Sequence, residues 1–158
     1  EGLSAKPIID ILVGVADREV LDKLIEPLVN KGYVYDARYN EAMPYRRFFI
    51  KTKNSLHGKT KVTLANEDTL KDILQQDNRL AHIHIIPKSS MHWFRHIAFK
   101  KYLIEHDGIR EEYQGLKERL SLMEWDNSQQ YNAAKNDFIK YHEVQAMLWY
   151  HDYSNNRP

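Results

Sequence analysis

Cysteine is absent from all 158 residues. Its absence excludes a disulfide framework, a thiol nucleophile and any zinc site built on sulfur, so a metal held by this chain must use His, Asp, Glu or water. Long apolar runs are absent too. None approaches the roughly 20 residues of a membrane-spanning helix, and the opening residues do not resemble a signal peptide. The expected compartment is the cytoplasm, with no membrane partner. A large charge of either sign is also lacking: 23 Lys and Arg against 22 Asp and Glu leave a formal charge of +1, which argues against nucleic acid as a partner. No internal repeat or low-complexity stretch occurs. The opening Glu1-Gly2-Leu3-Ser4-Ala5 carries no methionine and runs almost at once into an apolar strand; a further native segment upstream is expected.

What is present is a composition of 42% hydrophobic and 28% charged residues. That is the balance of a soluble globular chain, and the length suits one domain with its own core. The most informative stretch is Lys6-Pro7-Ile8-Ile9-Asp10-Ile11-Leu12-Val13-Gly14-Val15, an apolar strand with a carboxylate in its middle. Burying an unpaired carboxylate costs several kcal/mol, so Asp10 is expected to meet a cation, a metal or a proton, or to open onto a cleft. A second apolar run, Leu80-Ala81-His82-Ile83-His84-Ile85-Ile86-Pro87, carries two histidines. Their i, i+2 spacing places both rings on one strand face, roughly 6.6 Å apart along the chain. The two strands are read as the floor of one site, provided that they are neighbours.

Between them, Asp17 is placed to cap a helix running to about Asn30, with Pro27 expected to kink or shorten it and Lys31-Gly32 as its end. Tyr33 to Tyr35 reads as extended, 40–44 as a loop, Arg46 to Lys51 as a strand, Thr60 to Leu64 as another, and Glu67 to Gln76 as a short helix capped by Asn66. After Pro87 the pattern turns helical. Ser89 or Ser90 caps a helix through His106, Gly108 breaks the chain, Ile109 to Met123 forms the next helix, and a last one carries Tyr131 through Trp149. The expected class is α+β: a mixed β-sheet flanked by helices in residues 1–88, with a helical extension in 89–158 packed on it as one domain.

Five ordered segments resemble GrpB-type proteins: Leu3 to Ile11, Arg46 to Lys51, His82 to Ile85, Trp93 to Leu103, and Tyr131 to Ile139. The resemblance covers almost the whole chain and implies a nucleotidyltransferase-like fold. It also implies a nucleotide or phosphorylated small molecule as ligand, with a divalent metal (Mg, Mn or Zn) and nucleotidyl transfer as the candidate reaction. The departures are specific. The superfamily's Gly-Ser phosphate cradle precedes the first acidic strand and is not in this sequence. Where Asp-x-Asp would hold metal, the chain reads Asp10-Ile11-Leu12. A later acidic ligand is represented by His84 or His82, a set that suits zinc, manganese or nickel better than magnesium.

On this reading Asp10 and His84 are the catalytic candidates, Asp10 orienting the ion and His84 binding it or acting as general base. Asp10, His82 and His84 are the metal candidates. Lys6, Arg47, Tyr131 and Lys135 are the ligand-binding candidates, with Arg47 and Lys135 stabilising phosphate charge. Arg46 and Arg47 alternate faces, so at most one of them enters the site. Each candidate has a plainer role open to it: Asp10 could pair with Lys6 or an arginine, the histidines could be hydrogen-bonded core residues, and Lys135 could be a surface charge. His92 and His96 have i, i+4 metal spacing, but no Glu follows His92 as a metalloprotease motif requires. Two other functional classes remain open beside the first: a noncatalytic binding or folding-accessory module, and a metal-dependent hydrolase built on Asp10, His82 and His84.

Overall fold

Runs of β-branched and aromatic residues between turn signals produce the strands, and their pairing decides what faces what. A computed structural model of the chain describes residues 8–53, 61–62, 78–126 and 128–155. The expected helix at 67–76 and its Asn66 cap lie outside them. Among the described residues the strands are β1 (Ile9–Val15), β2 (Val34–Asp36), β3 (Arg47–Thr52), β4 (Lys61–Val62) and β5 (Arg79–Pro87), in the sheet order β1-β5-β3-β2-β4. The sheet is mixed: β1 and β5 run parallel, while β3 is antiparallel to both β5 and β2. The class is α+β, as the sequence predicts.

Helices α1 (Glu19–Lys23) and α2 (Ile25–Asn30) replace the single helix expected over 17–30. Leu24 separates them, and Pro27 then falls in the first turn of α2, where a missing N–H costs little. Asp17 still accepts from the Val20 amide at 3.1 Å. Gly32, at φ 81°, ends α2 in a conformation that other residues adopt only with strain. One side of the sheet buries Tyr35, Phe49, Ile83 and Ile85 around Leu21, with Leu24, Ile25 and Leu28 packed against them. Each such side chain removed from water contributes about 1.5–3 kcal/mol. On the opposite side, Gly14 has no room for a side chain, because a Cβ there would lie 2.8 Å from the Trp93 ring and 2.6 Å from Lys88 Cγ.

The chain divides into two compact units between Trp93 and Phe94, where the sequence pattern changes at 88/89. Helix α3 (Met91–Glu105) crosses that boundary, and Ser90 Oγ caps it by accepting from the Trp93 amide at 3.2 Å. The second unit continues with α4 (Asp107–Ser121), α5 (Ser128–Ala134) and α6 (Asn136–Asn155). The break after α3 falls at His106, whose φ of −122° and ψ of 86° leave the helical region, so Gly108 lies inside α4. Aromatic stacking organises this unit: Tyr113 lies on Phe138 at 5.3 Å and Tyr102 meets Trp149 edge-on at 5.7 Å. Arg95 donates to Glu143 at 3.2 Å.

Candidate functional site

Strand alternation puts Asp10 and His82 directly opposite each other, and Phe48 opposite His84. All four therefore share the sheet face turned away from Leu21 and the buried Phe49. Asp10 Oδ1 lies 3.2 Å from His82 Nδ1 and 3.8 Å from His84 Nε2. The structure thus brings together the three residues that the sequence places on one floor. It differs on burial. Among the described residues β1 is the outermost strand, and the Asp10 side chain is 73% exposed against 21% and 26% for the two histidines. The carboxylate has no large desolvation cost to offset. Hydrogen bonding from His82, and then from His84, holds its carboxyl well below the usual carboxylate range despite partial burial.

Two arginines complete the cluster. Arg46 Nη1 lies 3.1 Å from His84 Nδ1, and Arg79 Nη1 lies 3.3 Å from His82 Nε2. A guanidinium donates and never accepts, so each of these ring nitrogens must present its lone pair. That assigns the tautomers: His84 carries its proton on Nε2 and His82 on Nδ1, each N–H turned toward Asp10. The Arg46 guanidinium also lies over Phe48 at 5.2 Å and Tyr39 at 5.5 Å. Burial pushes the Arg46 and Arg79 guanidinium groups below their usual pKa, which marks two cations with thinned hydration. Close by, the buried Asp36 is neutralised by Arg38, whose Nε and Nη2 donate at 2.8 and 2.6 Å.

Arg47, expected at the ligand, is corrected to the other face. It starts β3 opposite Ile85 and donates to Asp22 Oδ1 at 2.6 Å, leaving Arg46 as the member of the pair that reaches the histidines. Tyr131 and Lys135 belong to the second unit, where Lys135 Nζ sits 4.7 Å over the Tyr131 ring. Lys6 lies outside the described residues. His92 stacks on Tyr45 at 3.3 Å, nearly parallel. Arg79 went unread in the sequence because it stands three residues before His82, out of phase for a regular strand. The register shift opposite Lys51 and Thr52 pairs Thr52 with Arg79 and Lys51 with Ala81, which makes Leu80 an extra residue. Such a bulge returns Arg79 to the face of His82.

The donor set does not fit a divalent ion. Both nitrogens of His82 are engaged, and His84 Nδ1 faces a guanidinium, so a cation would have to displace cations to reach the imidazoles. Among the described residues, no group of three or more His, Cys, Asp or Glu could hold a metal ion.

Comparison with known proteins decides the lineage. The profile of the family described as GrpB protein matches residues 1–145. This chain belongs to the GrpB family. At the level of structure, the family member's likeness is to the crystal structure of conserved protein GrpB from Enterococcus faecalis, with a TM-score of 0.68 and 30% identity over 94% of this chain and 74% of that one. The GrpB-family chain is 28% identical to UPF0157 protein YqkA of Bacillus subtilis over 93% of its own length, which spans 36% of that relative. It is 27% identical to glutamate-rich protein GrpB of Alkalihalophilus pseudofirmus over 88% of its length and 68% of that protein. Among the described residues, no helix is long and apolar enough to cross a membrane.

Proposed function

We propose that the Asp10 face of the sheet binds a phosphorylated small molecule, with a nucleotide as the first candidate. The observation that carries this reading is the pair of arginines held on neutral imidazoles beside Asp10. Guanidinium groups match phosphate oxygens in a planar fork, and Tyr39 and Phe48 supply apolar surface next to Arg46. Asp10 serves by accepting the His82 ring N–H and by facing His84 Nε2 at 3.8 Å, which keeps the lone pairs turned to the arginines. A carboxylate held so strongly ionised is a poor base, and His84 can act as one only when Arg46 leaves its Nδ1.

Nucleotidyl transfer is the reaction that the superfamily resemblance adds. Leu12 weighs against it, since it occupies the same face two residues after Asp10, opposite His84, where a second carboxylate would be needed. A binding module without transfer fits that substitution. The test is a thermal-shift and calorimetric titration of the full chain with nucleoside mono- and triphosphates, repeated on Asp10→Asn. Ligand at 100-fold its Kd stabilises by about 2.7 kcal/mol, a shift of several degrees for a chain of this size. Absence of any shift or heat at millimolar ligand would remove the proposal. Pyrophosphate release on turnover would establish transfer.

A further inference from the structure

We infer that Arg46 and Arg79 take the place of the metal ion in this site, so that it receives a metal-free phosphoryl group directly on guanidinium and discriminates against a magnesium-chelated triphosphate. The inference rests on the phosphorylated-ligand reading above and goes further by naming the form of the ligand. Its ground is the donor chemistry of the cluster. The ring nitrogens facing away from Asp10, Nδ1 of His84 and Nε2 of His82, are occupied by Arg46 and Arg79 at 3.1 and 3.3 Å. The nitrogens facing Asp10 carry protons and cannot coordinate a cation. Among the described residues, what remains for a metal is the outer oxygen of one exposed carboxylate, too little for an ion that prefers several oxygen ligands.

The charges lead to the same conclusion. Arg38 and Asp36 neutralise each other in a two-point pair, and Arg46 and Arg79 bring two guanidinium groups to the histidines beside Asp10. A dication brought in on a triphosphate would sit against those two cations and would already occupy the phosphate oxygens that the arginines need. A phosphomonoester or free pyrophosphate offers those oxygens unmasked. Arg46 is preset for this role by its two aromatic neighbours, which restrict the side chain before ligand arrives. Its Nε is buried without a hydrogen-bond partner, so the Nη groups are the ones that would meet an incoming oxygen. Arg79 reaches the same face only through the Leu80 bulge.

The experiment uses the full chain and isothermal titration with inorganic pyrophosphate and with a nucleoside monophosphate, each in EDTA and in saturating Mg2+, with succinate as the carboxylate arm. Affinity should be retained in EDTA and weakened in Mg2+. Arg46→Lys and Arg79→Lys, which keep the charge and remove the fork, should each weaken it by about tenfold, the equivalent of one charge-assisted hydrogen bond. Unliganded melting curves show whether each variant folds, and the wild-type metal comparison stands without them. Binding that requires Mg2+ or Mn2+ and vanishes in EDTA overturns the inference while leaving the phosphorylated-ligand reading intact. Equal affinity for succinate overturns the phosphoryl assignment. No binding of any phosphate in either condition removes both.

Discussion

The two faces of one sheet have opposite characters, although adjacent residues of the same strands build them. Phe49, Ile83 and Ile85 point to the side closed by Leu21 and the short helices. Phe48, His82 and His84 point to the side that carries Asp10 and the arginines. Arg46 and Arg47 make the same split, one meeting an imidazole and the other a carboxylate on α1. Stability and chemistry are thus sorted by residue parity, and a change at one position should leave the neighbouring position's role intact.

The largest effect that breaks the comparison is expected from Phe49→Ala. Phe49 is wholly buried, its ring tilted against Tyr35 at 5.1 Å, and emptying that volume should cost about 3–5 kcal/mol in urea unfolding. Arg38→Met comes next. It strands the Asp36 carboxylate, which is 1% exposed, and should cost about 3 kcal/mol by the same measurement; an unchanged midpoint would mean that Asp36 finds another partner. Arg47→Gln sharpens the contrast with Arg46. Its partner Asp22 is largely exposed, so stability should fall by about 1 kcal/mol or less, and pyrophosphate affinity should match wild type.

The smallest effect concerns Asp10. Its carboxyl is held low in the folded protein and sits at the ordinary 3.8 when unfolded, so the folded state binds protons less readily than the unfolded one. The stabilisation is therefore complete above the ordinary carboxylate value and is lost as pH falls below it. Because the group is mostly exposed, Asp10→Asn should cost less than about 1 kcal/mol at pH 7. Chemical denaturation of wild type and variant across pH 3–7 checks the sign: the gap should narrow toward the acid end.

Much of this was legible in the residues. The period-two pattern in 9–15 and 80–87 placed Asp10, His82 and His84 on faces that strand pairing then joined. The helix stop at Gly32 and the Ser90 cap followed from local chemistry. What was not legible depends on partners distant in sequence. Whether Asp10 is buried depends on β1 having, among the described residues, a neighbour on one side only. The choice between Arg46 and Arg47 depends on where pairing with β5 begins. The contribution of Arg79 depends on an irregularity that periodicity cannot announce. The break at Leu24 and the pause at Lys135 between α5 and α6 are single-residue interruptions inside continuous apolar patterns, which pattern alone reads as one helix each.

The unmatched Leu80 means that ligand preference in this fold is open to change by length as well as by substitution. Lengthening β5 by one more position, between Arg79 and Leu80, would barely alter the protein's apolar interior. It would swing a guanidinium from the histidine side to the helix side, turning a two-armed grip into a one-armed one in a single genetic step.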